Sequence, residues 1–302
     1  MLKHLRLKSF FSCLIYIISP CTSWADEFER PPQLSSHNSQ TSQKTVKLAI
    51  IIDDLGNSLR SGLDAISLPG QISFAVMPHR KHSQTLAERA GRLGRDVLLH
   101  APMATQAGRE LGSGALHLDL GEKAFKDKLR FAINSIPYIK GVNNHMGSLL
   151  TTQHVAMTWV MEVVQEQPLF FVDSRTHGTS VAFETAQSFG LPSAQRDVFL
   201  DHKISIEHIH IQFKKALAIA KQYGSAITIG HPHKETLIYL KHVLPQLAAN
   251  HVELVPVSQL VKAQLAPRPD KVRESAPLAA PDLDQLIHSL RTDNPSTEPQ
   301  VY

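Results

Sequence analysis

Between residues 45 and 264 short apolar runs alternate with amphipathic stretches, and that alternation leaves the chain few folds to adopt. Apolar runs occur at Val46 to Ile52, Ile72 to Met77, Val97 to Leu99, Leu169 to Val172, Ala226 to Ile229 and Val252 to Val255. Between them, Ser83 to Leu93, Glu122 to Ile136, His154 to Gln165, Glu207 to Tyr223 and Glu235 to Ala248 carry apolar residues at helical spacing. Repeated β-α units of this kind build a mainly parallel sheet with helices packed on it. The chain has no G-x-G-x-x-G after its first apolar run and no G-x-x-x-x-G-K-[ST] anywhere, so neither a dinucleotide fold nor a P-loop enzyme has support. An α/β domain with barrel-like closure is the expectation, and its length of about 220 residues suits one large domain.

Several of these runs end in polar residues that carry chemistry. The stretch Leu48-Ala49-Ile50-Ile51-Ile52-Asp53-Asp54-Leu55-Gly56 passes from a buried strand to two adjacent carboxylates and a glycine. Ligand sites of α/β folds lie at the carboxyl ends of parallel strands, where one carboxylate can hold a divalent ion and its neighbour accept a proton. A turn or helix cap is the competing reading of such a pair. His100 follows Asp96-Val97-Leu98-Leu99, His145 stands in Gly141-Val142-Asn143-Asn144-His145-Met146-Gly147-Ser148, Asp173 follows Leu169-Phe170-Phe171-Val172, and His231 and His233 follow Ile227-Thr228-Ile229-Gly230. Taken singly, each histidine reads more readily as a solvated or hydrogen-bonded structural residue than as a ligand. On successive strands of a closed sheet the set would converge on one face, offering imidazole nitrogens and carboxylate oxygens that suit Zn²⁺ or a similar ion with an open position for water.

The ends of the chain speak to compartment. Lys3, Arg6 and Lys8 precede an apolar run from Phe10 to Ser19 and then Thr22-Ser23-Trp24-Ala25, the pattern of a secretory signal over residues 1–25. The apolar core is short of the roughly 20 residues that span a bilayer, with an uncleaved anchor as the alternative. Both cysteines, Cys13 and Cys21, fall in this leader, so cleavage would leave no disulfide or thiolate metal site. Its three cations account for most of the chain's net charge of +4, leaving +1 on the mature protein. The basic pI therefore says nothing about nucleic acid, and no cluster of Lys and Arg interleaved with aromatics follows. Residues 26–44 and the proline-rich 265–302 lack apolar periodicity and read as linker and tail, with Leu283 to Leu290 the one hint of a helix. Export to the periplasm or cell envelope is the expectation, with no transmembrane segment in the mature chain.

Five motifs, taken in order, resemble the divergent branch of the polysaccharide deacetylases, relatives of the NodB-type carbohydrate esterases. They are Ile51-Ile52-Asp53-Asp54-Leu55-Gly56, Leu98-Leu99-His100-Ala101-Pro102-Met103, Asn143-Asn144-His145-Met146-Gly147-Ser148, Phe171-Val172-Asp173-Ser174-Arg175-Thr176 and Gly230-His231-Pro232-His233. The resemblance spans roughly residues 45–264 and implies a distorted (β/α) barrel of about seven strands. It also implies metal-assisted hydrolysis of N-acetyl groups on a glycan or peptidoglycan-like substrate in the cell envelope. By that resemblance Asp53 is the general base, His231 the acid that protonates the leaving amine, and Asp54 and His100 ligands of a divalent metal, Zn²⁺ in the first instance.

The chain departs from the family where a second ligand histidine belongs four residues after His100, because Ala104 stands there. His145 is expected to supply the missing imidazole. Asp173 is expected to orient His231, and Arg175, Asn144 and His233 to support the site or bind substrate, although an exposed ion pair also accounts for Arg175. The alternative to an enzyme is a degenerate barrel that binds glycan as a scaffold, which Ala104 favours and the trio Asp53, Asp54 and His231 opposes. A two-metal phosphoesterase would need more bridging carboxylates. Ser148 and Ser174 stand in no nucleophile elbow. His202, His208 and His210 cannot share a helical face and read as surface residues. The Pro78-His79-Arg80-Lys81-His82 stretch reads as a solvated loop, and Gly112-Ser113-Gly114 as a flexible one.

Overall fold

The computed structural model describes residues 45–261. The expected leader, linker and tail lie outside the described residues. In chain order the elements are β1 (Val46–Leu55), α1 (Leu59–Ile66), β2 (Ser73–Val76), α2 (Ser83–Arg92), β3 (Val97–Met103), α3 (Glu122–Asn134), β4 (Ile139–Met146), α4 (His154–Val164), β5 (Phe170–Asp173), α5 (Ala182–Ser188), β6 (Ser193–Gln195), β7 (Val198–Phe199), α6 (Ile206–Tyr223), β8 (Ser225–Gly230), α7 (Lys234–Val243) and β9 (Val252–Leu254).

Every strand pairing is parallel, and the strand order is β6-β5-β4-β3-β2-β1-β8-β7, with β9 added beside the first half of β1. The two ends of that order, β6 and β7, are separated in the chain only by Arg196 and Asp197. Arg196 N donates to Asp173 O and Asp197 N to Ile227 O, both at 2.9 Å. The segment from Ser193 to Phe199 is thus one interrupted strand that pairs first with β5 and then with β8, curling the sheet into a distorted (β/α) barrel. Counting that segment once and setting β9 aside gives the seven-strand barrel that the resemblance implied.

The period of two along a strand sorts each residue inward or outward. Leu48, Ile50 and Ile52 of β1 face the helices and join the large outer core with Phe74, Leu99, Val142 and Phe171. Ala49 and Ile51 face the barrel interior with Ala75, Leu98, Val172, Ala194, Ile227 and Ile229. Val255, Val257, Leu260 and Val261 fill the interior from below, because Val257 N donates to Ser73 Oγ and Ser193 N to Val261 O, at the residues where β2 and β6 begin. Stepping upward by twos from the interior residues leads to Asp53, His100, Asn143, His145, Ser174 and His231. The apolar floor of the barrel and its polar mouth are the same strand faces.

The helices follow from local chemistry. Ser205 caps α6 through His208 N, Gly224 ends it with φ 83°, and Ile209, Phe213, Ala216, Leu217 and Ala220 form its buried stripe. Ser58 caps α1 in the same way. Among the described residues no helix is long and apolar enough to cross a membrane.

Gly141 lies on the inward face of β4, where an added Cβ would stand 2.4 Å from the ring of buried Phe170. Overpacking at such a site costs about 1–3 kcal/mol. Gly141→Ala should therefore lower the thermal midpoint by several degrees in differential scanning calorimetry. An unchanged midpoint would show that the interior is looser than this packing.

Candidate metal centre

Asp53 and Asp54 sit where β1 loses register with β2, between Ile52 and Leu55. Asp54 adopts φ 62° there. A bulge with a left-handed residue re-aims a side chain that would otherwise point away from the barrel interior, so both carboxylates of the pair reach the mouth. Such a backbone costs roughly 1–3 kcal/mol in a residue with a Cβ and persists only where the surroundings hold it. Met77 N bonds to Leu55 O at 2.8 Å and His82 N to Gly56 O at 3.0 Å, fastening the turn from the β2 side.

His100 and His145 are brought together by neighbouring strands, since β3 and β4 pair His100 with Asn143 and Pro102 with His145. His145 Nδ1 lies 3.1 Å from His100 Nε2 and 2.9 Å from Asp54 Oδ1, and His100 Nε2 lies 3.1 Å from the same oxygen. Three ligand-type atoms therefore form a triangle. Asp53 Oδ2 stands 3.5 Å from His100 Nε2.

Asn143 settles which way the proton on His100 faces. Its Nδ2 donates to Asp53 Oδ1 at 2.9 Å and also reaches Ser174 Oγ at 3.3 Å, so its Oδ1 must be the atom 2.9 Å from His100 Nδ1. An amide oxygen only accepts, so the Nδ1 hydrogen of His100 is spent there, and in the neutral ring Nε2 presents a lone pair to Asp54 Oδ1. That oxygen is shielded from solvent and no hydrogen bond reaches it. Lone pairs converging at about 3 Å repel unless positive charge lies among them. Either an ion or a second proton on His100 Nε2 can supply that charge: burial would lower the His100 imidazole, but Asp53 and Asp54 outweigh it and draw it upward. Burial would raise Asp54, yet His100 and His145 hold its carboxyl far below the usual carboxylate range. The donor set, one carboxylate oxygen and two imidazole nitrogens, fits a divalent ion with bonds of roughly 2.0–2.2 Å. Asn143 is placed to orient His100 were it to ligate such an ion.

Asp53 is 1% exposed, and its burial, opposed by His100 and His231 but supported by Asp54, raises its pKa. Across the mouth, His231 Nε2 approaches Asp54 Oδ2 to 4.0 Å. Its other nitrogen, Nδ1, lies 2.9 Å from Asp201 Oδ1, while its backbone N–H donates to Asp201 Oδ2 at 2.6 Å. Burial would lower this imidazole, but the Asp201 hydrogen bond and the charges of Asp201, Asp53 and Asp54 push it up to about 9. These partners favour the charged form of His231, whose Nε2 is turned to the centre.

The carboxylate that orients His231 is therefore Asp201 and not Asp173, as the sequence had led us to expect. Asp173 lies on the outward parity of β5 and accepts from Arg175 N at 2.7 Å and Ser180 Oγ at 2.8 Å, which shapes the loop after the strand. Asp201 ends the run Val198-Phe199-Leu200, the same signature of a strand closing on a carboxylate, but β7 has only two residues and its signal is correspondingly faint. Asn144 holds loops: its Nδ2 donates to Met146 O and its Oδ1 accepts from Ser174 N, both at 2.8 Å. Arg175 is half-buried with φ 47°. Arg196, which sequence patterns did not single out, donates to Ser174 O at 2.7 Å and Arg175 O at 2.8 Å and lies 3.9 Å above the Phe199 ring. Phe199 in turn stacks beside His231, with centroids 6.0 Å apart. Ala104 is buried in the outer core, and its carbonyl accepts from Leu149 N and Leu150 N. The second imidazole of the triangle comes from β4 instead of β3.

This fold and this strand-end chemistry define a deacetylase-type barrel. The chain belongs to the divergent polysaccharide deacetylase family, whose model matches residues 50–261. It is 37% identical over 231 residues to the uncharacterized protein YibQ of Escherichia coli K12, covering 76% of this chain and 70% of that one. An uncharacterized protein of Haemophilus influenzae is 36% identical over 225 residues, covering 74% and 80%. The crystal structure of uncharacterized protein ATU2773 from Agrobacterium tumefaciens shares the fold, with a TM-score of 0.69 at 23% identity over 72% of this chain and 90% of that one.

Asn143→Leu keeps the size of the side chain and removes both bonds that fix Asp53 and His100. Loss of such an orienting partner should weaken divalent-ion affinity about 10–100-fold, read by competition with a chromophoric chelator. Undiminished affinity would contradict the role given to Asn143.

Proposed function

We propose that this chain is an exported, metal-dependent hydrolase that removes N-acetyl groups from glycans of the cell envelope. The observation that carries the proposal is the triangle of Asp54 Oδ1, His100 Nε2 and His145 Nδ1, flanked by Asp53 and by a His231 anchored on Asp201. A divalent ion held by Asp54, His100 and His145 would polarise the amide carbonyl and lower the pKa of water toward 7.

The remaining work falls to the chain itself. Asp53 takes the proton of the attacking water; its burial favours the protonated product of that transfer, and Asn143 fixes its orientation. An amine is a poor leaving group until protonated, and His231 carries the proton it needs on the nitrogen facing the centre. Asp201 holds that imidazole in place and stabilises its charge. One carboxylate is kept receptive and one imidazole kept charged, the separation of roles that acid–base hydrolysis requires. The family supports a glycan as the substrate class. The secretory-type sequence pattern of residues 1–25 supports delivery to the envelope.

Release of acetate from a panel of N-acetylated glycans tests the reading. Asp53→Asn and His231→Ala should each lower turnover by about 10²–10⁴-fold while the bound ion stays at full stoichiometry. A barrel that only binds glycan would release no acetate as wild type. Turnover surviving Asp53→Asn would overturn the assignment of the base.

A further inference from the structure

Beside the triangle lies a second group of ligand-type side chains. The carboxylate of Asp201 and the imidazoles of His231 and His233 bring one ligand atom each within 4.8 Å of one another. Two oxygens of Asp201 are engaged very differently. Oδ2 accepts from His231 N at 2.6 Å and from Thr236 Oγ1 at 2.7 Å. Oδ1 meets only His231 Nδ1, at 2.9 Å, so a single proton lies between the two. His233 stands at the N-cap of α7, where its side chain makes no capping hydrogen bond, and its ring centroid is 5.7 Å from that of His231. Its imidazole is half-buried and brings one nitrogen within 4.8 Å of the ligand atoms of Asp201 and His231.

We propose that Asp201, His231 and His233 form a second divalent-cation site, which takes Zn²⁺ in place of the proton between Asp201 Oδ1 and His231 Nδ1. The exchange is balanced: one ion enters, one proton leaves to solvent, and the imidazole becomes a neutral ligand. Two imidazoles and one carboxylate are the same donor types as in the triangle, and they favour Zn²⁺ over hard ions such as Mg²⁺. The second site is the weaker of the two for two reasons. Its ion must displace a hydrogen-bonded proton, and it adds positive charge near the first centre, since His231 Nε2 is only 4.0 Å from Asp54 Oδ2.

The consequence rests on the function proposed above. With a cation on Nδ1 the imidazole keeps its Nε2–H but is no longer an imidazolium, so filling the second site weakens the acid that the leaving amine needs. The ion required at the first centre then inhibits at the second when in excess, and the barrel responds to metal supply in both directions.

Equilibrium dialysis of the folded protein against a Zn²⁺ series, with bound metal read by elemental analysis, tests the site without recourse to activity. Wild type should fill in two steps, to two ions per chain. His233→Ala and the bulkier His233→Gln should lose the later step and keep the earlier one, whereas His145→Ala should lose the earlier step. Wild type saturating at one ion that is lost in His145→Ala would overturn the second site and leave the first intact. Two ions still bound by both His233 variants would also overturn it, and no bound ion at all would overturn both.

Discussion

Asn143 bridges the general-base candidate and the first imidazole of the triangle, and the rest of the centre depends on that bridge. One amide satisfies Asp53 with its nitrogen and His100 with its oxygen, and this division turns the lone pair of His100 inward toward Asp54. Reverse the amide and the proton would face inward, where it could bond Asp54 directly and no cation would be needed. A single buried side chain, fully enclosed between β3 and β5, thereby fixes which nitrogen of the neutral His100 ring is left to face Asp54.

The barrel makes such a bridge possible because its strand faces do two jobs. Lower down, Ala49, Ile51, Leu98, Ile227 and Ile229 fill the interior with apolar volume. One step further along the same faces, Asp53, His100 and His231 fill it with polar groups that would be costly to bury alone and are held by one another. The bulge at Asp54 is the exception to the alternation, and it places two adjacent carboxylates on a face that regular pleating would give to one. The strand that passes from β5 to β8 completes the ring and brings Arg196, Phe199 and Asp201 to the side of His231.

Much of this was legible in the sequence. Long helices such as α3 and α6 and buried strands such as β1 and β8 announce themselves by period, and Asp53, Asp54, His100, His145 and His231 stood out as polar ends of apolar runs. What was hidden was hidden for physical reasons. β4 carries Asn143, Asn144 and His145 inside the barrel, so the site itself erases the apolar alternation that marks a strand. β6 and β7 are too short to show a period, and Asp201 was lost with them. The eight-residue α1, Leu-Arg-Ser-Gly-Leu-Asp-Ala-Ile, buries only Gly62, Ala65 and Ile66, so its period runs for little more than two turns and was not singled out. Choosing between Asp173 and Asp201 as the partner of His231 needs the closure of the barrel, a contact between residues 30 apart that no local pattern encodes.

The central claim is that Asp54, His100 and His145 hold one divalent ion. Anomalous scattering at the zinc edge, from crystals grown with Zn²⁺ at one ion per chain, tests it most directly. A single strong peak is expected between Asp54 Oδ1, His100 Nε2 and His145 Nδ1. A peak placed elsewhere, or none with those three side chains well ordered, would contradict it.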